Sequence, residues 1–304
     1  MCHQNSYGKV IDMISVLIPT YNYVCYQLVY DLQQQLSALG EEYEIIVAED
    51  GSDKLQTIED NDRVSSLIGC SHLICKENRG RAGIINYLVG KSSGDWCIIM
   101  DSDAKVVSSD YIKMYVNCMA HGADVYVGDL VNPDHLPHAE ATLRYTYEKA
   151  AEKYRTAEYR NHHPFERFCT FNVMARRETL LEVPFDERCT EYGYEDTLMG
   201  IELKKRGKKV THIDNPLMHL GFDKNDVFLK KTETALRTLK KIEHSLLSYI
   251  GLGKMVIRIR KMHLTSLVRV VYKLTRPLLR RNLLGNKPNL NIFRFYKLGY
   301  YLSL

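Results

Sequence analysis

The sequence lacks the patterns that place a protein in a membrane or in an oxidising compartment. No stretch approaches about 18 uninterrupted apolar residues, so we expect no transmembrane helix. The N-terminal residues 2–9 are polar and show no signal-peptide pattern. None of the eight cysteines forms a C-x-x-C pair or a zinc-ligand spacing, which predicts free thiols. These absences favour a cytoplasmic protein.

Acidic residues are absent from residues 251–304, although this segment contains twelve lysines and arginines. Subtracting this charge of +12 from the formal net charge of +4 leaves −8 for residues 1–250. The change in composition predicts two parts, a main domain over 1–250 and a basic amphipathic, helical extension over 251–304.

The basic extension alternates charged residues with aliphatic clusters up to Leu284, and aromatic residues recur from Phe293 to Tyr301. Such a segment is typical of one that binds an anionic membrane surface. The alternative is a helix that packs over the main domain and keeps its basic side in solvent. No nucleic-acid-binding motif accompanies the charge, so we expect no nucleic-acid partner.

The first half of the chain alternates strand-like and helix-like patterns. Short β-branched or apolar runs predict strands, and a leucine stripe that ends at Gly40 predicts a helix. Strands separated by helices form parallel sheets, so we expect an α/β fold with a mostly parallel sheet flanked by helices. The predicted strands are 14–18, 43–48, 73–75 and 97–100, and the predicted helices are 27–39 and 82–89.

The second half shows longer helical patterns between its strands. The predicted helices are 138–160, 195–206 and 225–250, and the predicted strands are 125–130, 171–175 and 209–213. No internal repeat and no low-complexity linker separates these segments.

Two carboxylates, Asp101 and Asp103, directly follow the apolar run 97–100. If that run is a buried strand, both acids lie at the carboxyl edge of the sheet, where open α/β sheets bind ligands. Carboxylate oxygens suit Mg²⁺ or Mn²⁺, and such an ion usually completes its coordination with substrate phosphates. The pair therefore predicts a metal site and a phosphate-bearing substrate. The alternative is an acidic turn without a ligand, since Asp and Ser are common turn residues.

Polar residues also follow the first two predicted strands. Pro19 ends the first strand, which places Thr20, Tyr21 and Asn22 at the carboxyl edge of the sheet. A tyrosine there can stack on a nucleotide base, and Asp50 after the second strand can accept a hydrogen bond from an imino N–H. Alternatively, Tyr21 only packs and Asp50 begins a turn.

Gly80 lies directly before the predicted helix 82–89. Glycine permits close backbone approach, and a helix N-terminus attracts anions. Arg79 or Arg81 can then face a diphosphate, and a solvated arginine is the alternative.

Glu195 and Asp196 open the predicted helix 195–206. Acids in a first turn are stabilised by the helix dipole, so the pair has a structural explanation as well as a functional one. Thr170 and Asn172 can reach a donor sugar, but ordinary strand polarity explains them equally well.

Five short motifs, in this order and at this spacing, resemble family 2 glycosyltransferases of the GT-A fold over roughly residues 13–240. They are Ser15–Asn22, Glu49–Asp53, Asn78-x-Gly80, Asp101-Ser102-Asp103 and Tyr192–Asp196. Each motif alone is weak, and the series is specific. The resemblance implies a nucleotide-sugar donor, usually a UDP-sugar, with a divalent metal, Mn²⁺ or Mg²⁺, and inversion of the anomeric centre.

The resemblance also assigns roles to individual residues. It implies that the nucleotide sugar is bound by Pro19, Thr20, Tyr21, Asn22, Asp50, Gly80, Arg81, Asp101 and Ser102. Asp101 and Asp103, with the late His219, would hold the metal, although a lone histidine is more often structural. The family places a catalytic base at the Glu195–Asp196 pair. We assign Asp196 as the base and Glu195 as the residue that orients the acceptor, and the reverse stays open.

The chain departs from the family pattern in two places. Many members have Ala-Arg-Asn where this chain has Ile84-Ile85-Asn86, so Arg81 is the candidate substitute for the family arginine. The only tryptophan is Trp96, so the Gln-x-x-Arg-Trp motif of processive members is absent. We therefore expect a non-processive enzyme that adds one sugar to a glycan or lipid-linked saccharide in cell-surface polysaccharide synthesis.

Two other functions remain open on the sequence. A nucleotidyltransferase also combines an α/β sheet with a metal, but its usual Gly-rich phosphate loop is replaced here by residues 19–22. A non-catalytic scaffold would keep the fold and dock on membranes through 251–304, but Asp101, Asp103 and Asp196 are intact. The favoured enzyme would be peripheral on the inner face of the cell membrane.

Overall fold

The computed structural model describes residues 12–189 and 193–304, which form one eight-stranded mixed sheet covered by helices. The strands are β1 Ile14–Thr20, β2 Tyr43–Asp50, β3 Cys70–Cys75, β4 Trp96–Met100, β5 Ala104–Val106, β6 Val125–Val131, β7 Asn172–Arg176 and β8 Val210–His219. Their order across the sheet is β3-β2-β1-β4-β7-β6-β8-β5. This arrangement confirms the predicted α/β class.

Helices connect and cover these strands. The helices before residue 190 are α1 Tyr26–Leu39, α2 Leu55–Asp62, α3 Gly80–Lys91, α4 Tyr111–Cys118, α5 Thr142–Ala151, α6 Ala157–Asn161 and α7 Arg177–Glu182. Those after residue 192 are α8 Glu195–Lys205, α9 Asn225–Lys241, α10 Glu243–Leu246, α11 Gly251–Lys261, α12 Thr265–Leu283 and α13 Leu290–Ser303. The extension 251–304 is therefore helical, as predicted.

The parallel part of the sheet lies where the sequence predicts it. Strand β1 pairs in parallel with β2 and β4, and β2 pairs in parallel with β3. In the second half β7 runs antiparallel between β4 and β6, whereas β6 and β8 are parallel. Because parallel neighbours end at the same edge, the loops after β1, β2 and β4 meet there.

The core forms on both faces of the sheet. Successive side chains of a strand point to opposite faces. Val16 accordingly packs in the cluster that contains Leu32 of α1, and the adjacent Leu17 packs in the cluster that contains Leu88 of α3. The long apolar runs of β1 and β4 are buried because helices cover both of their faces.

Two predicted helices are shorter in the structure. The predicted helix 138–160 is divided into α5 and α6 with short 3₁₀ turns beside them. The division follows from tertiary contacts, because buried Arg160 donates to the carbonyl oxygens of Gly128 and Ile213 and holds α6 against the sheet. The predicted helix 225–250 ends at Lys241, where Ile242 leaves the helical conformation with φ −109° and ψ 21° and is buried.

Several strands are longer than predicted. Strand β1 continues through Pro19 to Thr20, β2 continues to Asp50, and β3 begins at Cys70.

The largest difference is in β8. The predicted strand 209–213 continues to His219 through Pro216. Proline is tolerated because Pro216 lies opposite Asp129, beside the register shift that interrupts the β6–β8 ladder. This extension brings His219 to the edge of the sheet that carries the predicted acids.

The basic extension packs on the preceding helices. Tyr272 of α12 and Phe293 and Tyr296 of α13 share a buried cluster with Phe228 and Leu229 of α9. Val256, Tyr301 and Leu302 join a second cluster with Leu236 and Leu239, also of α9. The net charge changes at residue 250, but apolar contacts join the residues on the two sides of this boundary.

Candidate active site

A cavity of about 710 Å³ opens at the carboxyl ends of β1, β2 and β4. This edge is where ligands bind in open α/β sheets, and the volume is in the range of small-molecule sites. The cavity is lined by Pro19, Thr20, Tyr21, Tyr23, Asp50, Asn78, Gly80, Arg81, Ile84, Asp101, Ser102, Asp103, Arg144, Leu220, Gly221, Phe222, Asp223 and Lys231. The motifs after β1, β2 and β4 therefore meet in one place.

The end of β1 and the residues that follow it present side chains of two kinds. Thr20 is buried and donates to the carbonyl oxygen of Tyr23. Tyr21 lines the cavity with a side chain that is 53% exposed, so its ring is available for stacking. Asn22 does not line the cavity. Its side chain bridges to the loop after β2, where it donates to Asp53 and accepts from the backbone N–H of Lys54.

Asp50 is held at the N-terminus of α3. Its Oδ1 accepts a hydrogen bond of 2.7 Å from the backbone N–H of Arg79, and Asn78 donates to its carbonyl oxygen. Burial raises the pKa of Asp50, and the backbone N–H groups of Arg79 and Gly80 oppose that rise. The carboxylate of Asp50 thus lies beside the start of α3, and the phosphate contact of Gly80 and this helix stays a prediction.

Glycine is required beside this contact. Gly51 has φ +72°, and a Cβ there would lie 2.6 Å from the backbone nitrogen of Asn78. The close approach of the two loops fixes Asp50 against α3.

Arg81 connects the two acidic motifs. It forms an ion pair with Asp101, and its Nε lies 3.6 Å from Oε1 of Glu195. Burial alone would lower the pKa of Arg81, but the charges of Asp101, Asp196 and Glu195 outweigh it and raise the pKa. Arg81 is therefore engaged with the site, whereas exposed Arg79 lies over the ring of Tyr87.

The segment between β4 and β5 is a short turn, in which the N–H of Ala104 donates to the carbonyl oxygen of Asp101. Asp101, Ser102 and Asp103 all line the cavity. Burial raises the pKa of Asp101 to about 6, and the charges of Asp103 and Asp196 add to the rise while Arg81 opposes it. Asp101 and Asp103 therefore belong to a turn and also line the cavity.

His219 lies behind Asp103, outside the lining of the cavity. Its Nε2 is 3.3 Å from Oδ2 of Asp103 and 3.1 Å from Nη2 of Arg144. A Cβ at Gly221 would overlap the carboxylate of Asp103, so the loop after β8 can lie this close only with glycine there. The N–H of Leu220 also donates to the carbonyl oxygen of Asp103.

The donor atoms here fit a metal that is shared with a substrate. The residues that the structure describes contain no group of three or more His, Cys, Asp or Glu side chains arranged around a metal position. Within the same residues, buried Oδ1 of Asp103 and Nδ1 of His219 have no hydrogen-bond partner. Mg²⁺-type ions are usually held by one or two carboxylates and substrate phosphates rather than by a complete protein cage.

Glu195 and Asp196 begin α8, as predicted, and neither lines the cavity. Asp196 accepts a hydrogen bond from Thr170. Glu195 is buried; burial raises its pKa, and the charge of Asp196 raises it further. Tyr194 precedes the helix with φ +71°, a rare conformation for a residue other than glycine, which is typical of functional sites. Tyr192, the first residue of this motif, lies outside the described residues.

A second, charged wall of the cavity was not predicted. Arg144 of α5 contacts Asp223 at 3.1 Å, and Lys231 of α9 contacts the same carboxylate at 2.8 Å. Asp223 follows His219 by four residues, which is a local signal that could have marked it. Arg144 lies in a segment without any motif, and only the packing of α5 brings it to the cavity.

One family model matches more than half of the chain. It is described as glycosyl transferase family 2 and matches residues 15–182. No curated protein matches the chain.

Solved structures resemble the chain in fold. Staphylococcus aureus TarS 1–349 in complex with UDP-GlcNAc has 15% identity and a TM-score of 0.50, over 75% of this chain and 66% of that one. A mycobacterial protein has 16% identity and a TM-score of 0.50, over 75% and 74%. The chain thus spans just under two thirds of the length of the TarS fragment. Identities this low show a shared fold and nothing about the substrate.

Proposed function

Because the chain belongs to glycosyl transferase family 2, we propose that it moves a single sugar from a nucleotide-diphosphate donor to a glycan or lipid-linked saccharide. The observation that carries this proposal is the cavity, in which residues at the carboxyl ends of β1, β2 and β4 surround one space. Membership of the family also favours sugar transfer over the nucleotidyltransferase reaction. Intact Asp101, Asp103 and Asp196 argue against a scaffold that only keeps the fold.

The donor, a UDP-sugar in our proposal, occupies this cavity. Tyr21 offers an exposed ring for stacking on the base, and Asp50 offers a carboxylate fixed by α3. Arg81, together with Arg144 and Lys231 of the second wall, supplies positive charge for the diphosphate. Ser102, Pro19, Thr20 and Gly80 shape the space around it.

Asp101 and Asp103, which line the cavity, are the residues that would hold Mn²⁺ or Mg²⁺ there, and His219 behind Asp103 stays the predicted third ligand. When bound, such an ion offsets the negative charge that develops on the departing nucleotide diphosphate. His219 is assigned to this role because it lies against Asp103, with Nε2 3.3 Å from Oδ2, and its buried Nδ1 has no hydrogen-bond partner among the described residues.

Transfer with inversion needs one base that takes the proton from the acceptor hydroxyl during attack. We assign this role to Asp196, whose carboxylate is oriented by Thr170. Glu195 is assigned to orient the acceptor, and its Oε2 is buried without a hydrogen-bond partner among the described residues. The absence of the processive motif agrees with one sugar added per encounter.

The extension supports a location for the reaction. No helix within the described residues is long and apolar enough to cross a membrane. We propose that the enzyme is cytoplasmic, attached to the inner face of the cell membrane through its basic residues 251–304, and acts in cell-surface polysaccharide synthesis. The support is the charge of +12 on that segment.

Thermal unfolding with a panel of nucleotide sugars and Mn²⁺ tests the donor and the metal together. A ligand at 100 times its Kd stabilises a protein by about 2.7 kcal/mol, so the true donor is expected to raise Tm clearly. Asp103→Ala should remove the metal-dependent part of this shift and abolish transfer. Full transfer activity in EDTA would contradict the metal assignment, and no Tm shift with any nucleotide sugar would contradict the function.

A further inference from the structure

Helix α12 presents a continuous apolar stripe to solvent. The stripe, which we call the α12 stripe, consists of Leu267, Val270, Val271, Leu274 and Leu278, all of which are exposed. Spacings of three and four residues place these side chains along one side of the helix. Leu274 is 76% exposed and Leu278 is 68% exposed.

The opposite side of α12 is already packed. Tyr272 and Leu283 are buried in the cluster formed with α9 and α13, and Leu279 packs against it. A surface helix normally needs one apolar side, and this helix has two. An exposed contiguous apolar surface marks an interaction site. The five exposed side chains of the α12 stripe therefore do not belong to the buried core of the described residues.

Exposed positive charge accompanies the stripe on α12 and on the helix before it. Lys273 and Arg281 of α12 are exposed, and neither contacts an acidic side chain within the described part of the chain. The preceding helix α11 also exposes Lys254, Arg258 and Lys261. Residues 251–304 contain no acid that could neutralise these groups locally.

We propose that the α12 stripe inserts into an anionic bilayer, with α12 parallel to the membrane surface and its basic residues at the headgroups. The proposal rests on the membrane attachment proposed above and names the element and the side chains that make it. A second copy of the chain fits the stripe less well. Symmetric pairing of two stripes would bring Lys273 and Arg281 of both copies together.

The docked helix would also orient the cavity. Arg280 of α12 contacts Glu233 of α9 at 3.1 Å, and Arg276 contacts the same carboxylate at 3.9 Å. Lys231, two residues earlier in α9, lines the cavity. Because α9 connects the docking helix to the cavity wall, the site is held at a set position relative to the bilayer. Such a site suits an acceptor that is anchored in the membrane.

Vesicle sedimentation of the full chain tests the stripe. The wild-type protein is expected to pellet with phosphatidylcholine vesicles that contain phosphatidylglycerol, and to remain in the supernatant with phosphatidylcholine alone. The double variant Leu274→Gln and Leu278→Gln should lose at least about tenfold in affinity, because two leucines no longer enter the acyl region. Leu55→Gln is the matched control, since Leu55 is 75% exposed and lies on α2. It should bind like the wild type.

Insertion is then measured directly with tryptophan. Trp96 is fully buried, so it supplies a constant background. The fluorescence of Leu274→Trp should be quenched by brominated acyl chains, and that of Leu55→Trp should not. Equal vesicle binding by the double variant, or equal quenching at positions 55 and 274, would overturn the proposal. A stripe-dependent dimer in sedimentation equilibrium without vesicle binding would also overturn it.

Donor hydrolysis in the absence of vesicles separates this proposal from the proposed function. The double variant should hydrolyse the nucleotide sugar like the wild type, because no residue of the stripe lines the cavity. If the wild type hydrolyses no nucleotide sugar, the proposed function is contradicted. The vesicle experiment would still test the membrane proposal.

Discussion

At the scale of single residues, Arg81 determines how the acidic groups of the site are arranged. It pairs with Asp101 after β4 and approaches Glu195 at the start of α8. Without a cation between them these carboxylates would repel each other in a partly buried space. The arginine that the family usually carries later in this helix is absent, and Arg81 occupies the position where the two motifs meet.

Asp196→Asn is the residue-scale test of the catalytic base. Asparagine keeps an oxygen that accepts from Thr170, so the local geometry is expected to stay while the proton acceptor is lost. Turnover should fall by about 10²–10⁴-fold, the usual contribution of a positioned acid or base. Donor affinity should remain near that of the wild type, because Asp196 does not line the cavity. Steady-state kinetics and donor titration measure the two quantities.

Glu195→Gln is the partner variant, since it removes the neighbouring charge and keeps the shape. A larger loss of turnover in this variant than in Asp196→Asn would reverse the two assignments. Normal turnover in both would exclude the pair from the reaction.

At the scale of elements, the packing of α13 on α12 depends on one small residue. Gly299 lies so close to the ring of Tyr272 that a Cβ would overlap the ring and its Cβ. Tyr272 is buried between α12 and α13 and cannot move aside without disturbing the cluster that includes Phe293 and Tyr296. The glycine therefore sets the distance between the two helices.

Gly299→Ala should lower the free energy of unfolding by about 1–3 kcal/mol, the usual cost of overpacking a buried contact. Urea unfolding followed by circular dichroism measures it. Gly90→Ala in α3 is the control, because a Cβ there meets nothing within 4 Å and alanine favours helices. Equal stability of Gly299→Ala and the wild type would show that the α12–α13 contact is looser than the structure has it.

At the scale of the whole molecule, two parts of the chain with opposite net charge share an apolar core. Residues 1–250 carry −8 and residues 251–304 carry +12. The second part nevertheless covers Phe228, Leu229, Leu236 and Leu239 of α9. An anionic membrane would attract one part and repel the other, so in the proposed attachment the charge asymmetry would orient the molecule as well as bind it.

A chain that ends at Ile250 is expected to lose its cooperative unfolding transition. Exposing each of the covered side chains of α9 costs about 1.5–3 kcal/mol, and typical domains are stable by only about 5–15 kcal/mol. Differential scanning calorimetry of the shortened and full chains measures the change. A shortened chain with an unchanged Tm would establish residues 1–250 as an independent domain.

The sequence by itself determined the strands and motifs that line the cavity edge. The apolar runs that precede Pro19 and Asp101 predict which strands reach the cavity edge, although β1 continues through Pro19 to Thr20. Parallel pairing then brings such ends together without further information, which is why Tyr21, Asp50 and Asp103 could be named before any contact was known.

Only the tertiary structure decided which residues from other parts of the chain lie around the cavity edge of the sheet. Arg144 reaches the cavity because α5 packs against α9, and Asn22 leaves it because its side chain bonds to the next loop. The same limit applies to α12. The spacing of its apolar residues predicts a helix with apolar sides, but it does not show which side packs against the protein. Periodicity records which residues share a side, whereas burial depends on what packs there.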